Sequence, residues 1–466
     1  MPRTELIRGL SLRDTIALVI GTIIGTGIFL KTARMGQAVG SPELVLLAWI
    51  AAGILSLAGA LTYAELGALF PEAGGEYVYL RAAYGPLPAF MFGWMRLIVG
   101  SAGSIAIFGV AFATFISALV PLDSVWIEKP FTFLGQNILW QFGAKQIVAV
   151  GVILFFSLLN CFRVVFGGRV QTILTVLKVL GIVTIIIGVF FFAPSADWSH
   201  LVRGPGVAAW SGLSAFGAAM LAALWAFDGW NNMPMVAGEV REPARNIPLA
   251  LSIGTVVVLV IYLLANVAYC YALPFNEILT ANSSAHPDAL PVATKAAQTF
   301  LGSSGGKLVS IAFLLSTIGA LHGSILTNSR ITFAMARDGV FFSRFGELNE
   351  KTAVPVAAII LQAVWASVLA VSGTFDQLTD CVVFAGWIFY AATTSSVFVL
   401  RKKFPDWPRS YRTVGYPVVP IIFIGVAIWL IVNTLTTNPM ESLVGLVLIG
   451  VGLPIYWWKR GRAGGP

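Results

Sequence analysis

The chain has 466 residues, of which 58% are hydrophobic and 11% charged, with a formal net charge of +8 and a mean hydropathy of +0.86. A soluble globular chain carries roughly 25% charged residues, so this composition predicts an all-α polytopic membrane protein and excludes an outer-membrane barrel, whose strands would alternate. The basic excess belongs to loops that orient the chain in a bilayer, and nothing in it points to nucleic acid.

The N-terminal stretch, Met1 to Arg13, is short and basic, with no cleavage site before the first apolar run. It reads as a cytoplasmic segment and not as a signal peptide. Apolar segments long enough to span, about 20 residues each, then recur about a dozen times. Their centres fall near Ile24, Leu55, Ser104, Ile153, Ile182, Ala226, Leu259, Leu315, Ile360, Tyr390, Ala427 and Val447. With the N-terminus inside, Arg81, Arg163, Arg169, Arg241, Arg245, Arg337, Arg344, Lys351, Arg401-Lys402-Lys403, Arg409, Arg412, Lys459, Arg460 and Arg462 share its side. Lys31, Arg34, Lys129, Lys145, Arg203, Lys295 and Lys307 face the other way. That bias predicts an even span count with both termini cytoplasmic. Cys161, Cys270 and Cys381 each stand in an apolar segment and read as small core residues, not as a disulfide framework.

The first segment contains Gly21-Thr22-Ile23-Ile24-Gly25-Thr26-Gly27-Ile28-Phe29. Each Gly costs roughly 1 kcal/mol relative to Ala inside a helix. In lipid every backbone N–H and C=O needs a partner, so a break survives only where protein, water or a ligand supplies one. Gly25 to Gly27 therefore reads as an unwound point whose bare N–H groups, at the start of a half-helix, would hold a carboxylate. The alternative is close helix packing through Gly21-x-x-x-Gly25. The sixth segment repeats the feature in Leu224-Trp225-Ala226-Phe227-Asp228-Gly229-Trp230-Asn231-Asn232, followed by Met233-Pro234. Paired interruptions point to a transporter site at an inverted-repeat interface. They divide the chain into residues 1–13, a first five-helix repeat (14–200), a second (201–403), and two added spans with the C-terminus (404–466).

The loops Glu72 to Arg81 and Gly238 to Pro248 mix charges of both signs on the cytoplasmic side. They read as either an inner gate of ion pairs or solvated turns. Lys178 lies deep in the fifth segment. A charged amine there costs about 2.5–3.5 kcal/mol on insertion scales and needs partners unless it snorkels to the interface. Arg96 and His322 are further intramembrane polar residues. Arg96 would serve a carbonyl or Asp380, and His322 an interhelical hydrogen bond.

Together these residues resemble the amino acid–polyamine–organocation superfamily, and within it the L-amino acid transporter family, over nearly the whole chain. The most specific parts are Gly21 to Phe29, Trp225 to Asn231, Glu239 to Pro248, and Lys178. The resemblance implies a five-plus-five inverted repeat of the leucine-transporter type, alternating access, and sodium-independent exchange of amino acids. It implies that Thr26 and Gly27 supply donors for the substrate carboxylate, while carbonyls of Ile23, Trp225 and Asp228 accept from its ammonium. Gly25 and Gly229 would let the backbone approach closely. Trp225 matches a swinging aromatic gate, Trp387 a side-chain-pocket position in some members, and Asn231 a substrate-contacting position on the sixth segment, with an interhelical hydrogen bond as its alternative. Lys178 takes the place of a bound sodium ion, tied to carbonyls near Gly21 to Ile24 and to a hydroxyl such as that of Ser316 or Thr317. Asp228 matches carriers that exchange dibasic for neutral amino acids, with a structural role for the acid as the alternative. The loop from Pro121 to Lys145 lacks the cysteine that joins animal members to a heavy chain, so a stand-alone carrier in the cytoplasmic membrane of a prokaryote is expected. No cofactor or metal is implied. A proton-coupled symporter on the same fold and a non-transporting amino acid sensor stay open. The three histidines, His200, His286 and His322, share no metal-ligand spacing, which argues against an enzyme.

Overall fold

The computed structural model describes residues 5–463 except 118, 123, 134–135, 203–211, 284, 287–288, 373–374 and 438. Side chains are described outside 131–139, 373–383, 441 and 460–463, so Asp380 and Cys381 lie outside the described side chains. Among the described residues, nine helices are long and apolar enough to cross a membrane. Two shorter apolar helices, Ala144–Asn160 and Val356–Ser372, accompany them.

Ser11 starts the first rod. Its hydroxyl accepts the Asp14 N–H, and the Asp14 carboxylate accepts the Ser11 N–H in return. This reciprocal cap satisfies donors that the first turn would otherwise leave bare. Helix α1 (Leu12–Ile23) stops there, and α2 (Gly27–Val39) resumes after the extended Ile24. The long α3 (Pro42–Leu69) and the short α4 (Glu76–Tyr84) follow. Next, α5 (Pro86–Met95) and α6 (Ser101–Ile116) are joined by a π turn over Arg96–Gly100. A widened turn of this kind often marks a functional position.

An antiparallel hairpin, β1 (Val125–Phe133) and β2 (Gln136–Gly143), precedes α7 (Ala144–Asn160) and α8 (Val164–Phe192). The hairpin was not foreseen from sequence. The sixth apolar segment is split into α9 (Leu213–Phe227) and a tight helix over Trp230–Glu239. The remaining helices are α10 (Pro243–Ala272), α11 (Phe275–Leu279), α12 (Val292–Leu301), α13 (Ser304–Arg337), α14 (Val356–Ser372), α15 (Phe375–Lys403), α16 (Val418–Thr437), α17 (Pro439–Gly450) and α18 (Gly452–Ala463). Both interrupted rods lie inside, packed against α3, α8, α10 and α13. Bulky apolar side chains such as Leu158, Ile173, Phe191 and Ile421 cover the outside, as expected where lipid is the solvent.

Candidate functional site

The two breaks face each other. Gly229 sits at φ +125°, a conformation glycine adopts without a Cβ penalty. A Cβ there would stand 2.6 Å from the Thr22 carbonyl oxygen, so no other residue permits this approach. The Thr22 hydroxyl donates to the Gly229 carbonyl at 3.0 Å. The Tyr262 hydroxyl, from α10, lies 3.1 Å from the Ile23 carbonyl and 3.0 Å from that of Ala226. It bridges oxygens freed by the two interruptions. The Trp225 carbonyl accepts the Asp228 N–H at 3.3 Å.

Gly21 belongs to packing: a Cβ on it would meet Gln171 and Thr175 of α8. Gly25, Thr26 and Gly27 are buried and form the junction from which α2 starts, with no side-chain cap on its first turn. On the far side of the breaks α2 runs along α9. A Cβ on Gly27 would lie 2.7 Å from the Ala226 Cα. Half-buried Trp225 carries Lys31 Nζ 4.2 Å from its ring centroid, a cation–π contact from α2 to α9.

Lys178 is fully buried. Its ammonium donates to the carbonyls of Gly21 (2.9 Å), Ile24 (2.8 Å) and Ser316 (3.0 Å). An ammonium has three donors, and all are used inside the protein, so the side chain does not snorkel. The expected hydroxyl partner is instead a carbonyl. The Ser316 hydroxyl donates to Ile24 and Gly25 at 3.1 and 2.9 Å, which fixes the same break from α13. Thr317 turns its hydroxyl back to the Phe313 carbonyl of its own helix, at 2.8 Å. Gly319 makes the room: a Cβ on it would stand 2.8 Å from Lys178 Nζ.

Beyond the second break lies a polar chain that runs from half-buried Asp228 to fully buried Glu76. Asp228 Oδ1 accepts from the Tyr390 hydroxyl at 2.6 Å. Asn231 Nδ2 donates at 3.3 Å to Tyr390 and at 3.3 Å to Glu76 Oε2. Tyr63 donates to Glu76 Oε1 at 2.7 Å. Trp387 packs edge-on to Tyr390, with ring centroids 5.6 Å apart. Arg96 donates to the side-chain oxygens of Asn232 (2.9 Å) and Asn328 (2.6 Å).

Burial pushes the Glu76 carboxyl up to about 7, against the opposing pull of Arg96 and of hydrogen bonds from Tyr63 and Asn231. A carboxyl near 7 in the fold and 4.5 in the unfolded chain binds its proton more tightly when folded. That stabilisation is full below about 4.5 and is lost as pH rises through about 7. Thermal melting in detergent should therefore fall across this window, and Glu76→Gln should flatten the fall. An equal slope in the variant would remove Glu76 as its source.

The face that carries the loop arginines is tied by ion pairs to α13. Glu239 and Arg330 are both fully buried and paired through two hydrogen bonds of 2.8 and 2.9 Å. Arg81 pairs with Asp338 at the end of α13, and with Glu72 at 3.3 Å. The N–H groups of Gly9 and Leu10 both donate to the Glu239 carbonyl at 2.9 Å, so the N-terminal segment lies against the same pair. Arg8, Glu72, Arg81, Phe333, Arg337 and Asp338 line a cleft of about 380 Å³ on this face. His322 takes an Asn160 amide contact at Nδ1 and a Gly167 carbonyl at Nε2, each at 2.9 Å. Nε2 must therefore donate, and the ring links α7, α8 and α13.

Sequence reasoning passed over Tyr262, Glu76, Tyr390 and Gly319. Tyr262 had a signal, a single hydroxyl in the apolar run Val260-Ile261-Tyr262-Leu263. Glu76 stood in a charged loop and carried none.

Residues 10–455 match the family model described as amino acid permease. The serine/threonine exchanger SteT of Bacillus subtilis (strain 168) is 31% identical over 449 residues, covering 96% of this chain and 95% of that protein. The b(0,+)-type amino acid transporter 1 of Mus musculus is 31% identical over 458 residues, covering 97% and 88%. The cystine/glutamate transporter of Homo sapiens is 29% identical over 468 residues, covering 99% and 88%. These relatives are transporters and not enzymes. With its interrupted rods and multiple apolar helices, this multi-pass membrane protein belongs to the amino acid permease family.

Proposed function

We propose that the chain is a sodium-independent L-amino acid exchanger working by alternating access. The observation that carries this reading is the pair of facing breaks with Lys178 locked beneath the first. The N–H groups of Thr26 and Gly27, at the head of α2, suit a carboxylate. Carbonyls around Ile23, Trp225 and Asp228 suit an ammonium, two of them being held in the present state by Tyr262 and the Asp228 N–H. Together they recognise what all amino acids share. Trp225 is the gate over that site, and Asn231, Trp387 and Asp228 form its side-chain wall. Ser316 and Lys178 hold the place of a mobile ion. The nine long spans, with Ala144–Asn160, Val356–Ser372 and Phe375–Lys403 added, support the twelve-span, five-plus-five topology. Both termini are assigned to the cytoplasm and the two repeats to residues 14–200 and 201–403. The exchanger named for Bacillus subtilis supports exchange as the mode. We assign the chain to the cytoplasmic membrane, without a disulfide-linked heavy chain.

Uptake of a labelled neutral amino acid into proteoliposomes tests the mode. Strong acceleration by unlabelled amino acid inside, unchanged when sodium is replaced, is the expected result. Dependence on an inward proton gradient without internal substrate would mean symport, and binding without flux would mean a sensor.

Asp228 sets the charge preference in this reading. Asp228→Gly should lower uptake of lysine and arginine at least tenfold more than uptake of a neutral amino acid, because a charge-assisted hydrogen bond contributes about 1.5–3 kcal/mol. A competition panel of neutral, cationic and acidic amino acids measures this directly. Equal loss for all classes would leave Asp228 with a structural role.

A further inference from the structure

Glu76, fully buried, and Asp228, half-buried, are two acids on one hydrogen-bonded chain, Tyr63–Glu76–Asn231–Tyr390–Asp228. The titratable and charged groups that act on this chain come from five elements. They are Tyr63 from α3, Glu76, Tyr79 and the more distant Glu72 from the loop and helix of α4, Arg96 from the π turn, Asp228 from the break and Tyr390 from α15. Arg96 is the cation whose field reaches both acids. Its hydrogen bonds go to Asn232 and Asn328, not to either carboxylate.

With both acids ionised, two negative charges would share one positive charge at a site where Glu76 is 0% and Arg96 6% exposed and Asp228 is half-buried. An uncompensated buried charge costs several kcal/mol, so the pair needs either a proton or a second cation. Asn231 can serve both states. Its Oδ1 is buried with no partner among the described residues, and turning the amide would let that oxygen accept an O–H from Glu76.

We propose that Glu76 and Asp228 share one exchangeable proton, which travels with a neutral amino acid and is displaced by a cationic side chain. This rests on the exchange reading above and gives Glu76 a role in it. The charges balance. A neutral substrate leaves the acid O–H in place, so one anion faces Arg96. A lysine, arginine or ornithine side chain supplies a second cation, and the proton leaves to the water of the face then open. When external arginine exchanges for an internal neutral amino acid, the neutral substrate carries a proton outward from the internal water. One positive charge enters as the side chain and one leaves as the proton, with no net current.

Proteoliposomes loaded with a neutral amino acid and a pH-sensitive dye test this. External arginine should raise the internal pH by one proton per arginine taken up. The rate should be the same with and without an imposed potassium diffusion potential. Arginine uptake that follows the potential with no internal pH change overturns the proposal, as does a wild type that does not exchange arginine. Glu76→Gln, shown by thermal melting to be folded, should lose the pH signal and make arginine exchange potential-dependent. A persisting signal overturns the role of Glu76. Failure of the exchange reading is seen separately, as absent neutral-for-neutral exchange in the wild type. Intact neutral exchange without the arginine-linked proton overturns only the shared proton.

Discussion

Lys178→Ala should reduce exchange at least tenfold while the protein still inserts and elutes as one species. The ammonium holds the carbonyls of Gly21, Ile24 and Ser316, at 2.8 to 3.0 Å. A hydrogen bond to a charged group contributes about 1.5–3 kcal/mol, and a buried acceptor left alone costs a further 1–3 kcal/mol. Losing even one such bond exceeds the roughly 1.4 kcal/mol of a tenfold change. The loss should fall on transport more than on folding, because Gly21 and Ile24 flank the first break, and the hydroxyls of Ser316 and Tyr262 still brace it. Three vacated oxygens around a hole the size of an amine also make a site for a small monovalent cation. Sodium should therefore restore part of the rate in Lys178→Ala, and Lys178→Met, which fills the space without charge, should not respond. Wild-type rates in Lys178→Ala, with no new sodium or pH dependence, would show that the lysine is not a fixed substitute for an ion.

The residues that could be read from the sequence are those for which membrane physics leaves few options. Glycines beside Thr26 and Asp228 make poor continuous helices, so both interruptions were visible before any contact was known. Lys178 in a long apolar run had to find oxygens, and the freed carbonyls of the nearby break were the natural candidates. The choice of Thr317 as a partner failed on a smaller point. A threonine in a helix can satisfy its hydroxyl on its own carbonyl four residues back, and Thr317 does so. Partners distant in sequence were not legible. The Glu239 and Arg330 pair spans α13 and the end of the sixth segment, and nothing in either stretch names the other. Glu76 was hidden because its loop folds inward, where Gly74 N–H donates to the Met235 carbonyl at 2.8 Å and carries the next acid into the interior. The hairpin at Val125–Gly143 was missed because Pro130 stands inside its first strand, where a residue without an N–H argues against a strand.

Gly27→Leu should abolish substrate binding and exchange, to below a hundredth of wild type, in a protein that still folds. The position has no room for a side chain: a Cβ would meet Ala226 Cβ and lie 2.7 Å from the Ala226 Cα, and Trp225 stands 3.5 Å away. The neighbour is backbone on a helix that is itself buried, so relief requires α2 and α9 to separate. That moves the N–H groups assigned to the substrate carboxylate away from the carbonyls assigned to its ammonium. A misplacement of about 1 Å can cost a hundredfold where geometry does the work. Gly27→Ala gives the graded test, since it adds the Cβ alone and should fall between the two. Binding is best read by ligand-induced thermal stabilisation, because it does not depend on a complete transport cycle. If Gly27→Leu keeps substrate-induced stabilisation and loses only flux, the head of α2 is a moving part and the carboxylate is held elsewhere. If it keeps both, the two half-helices do not need to meet at this point, and the site assigned between them is in the wrong place.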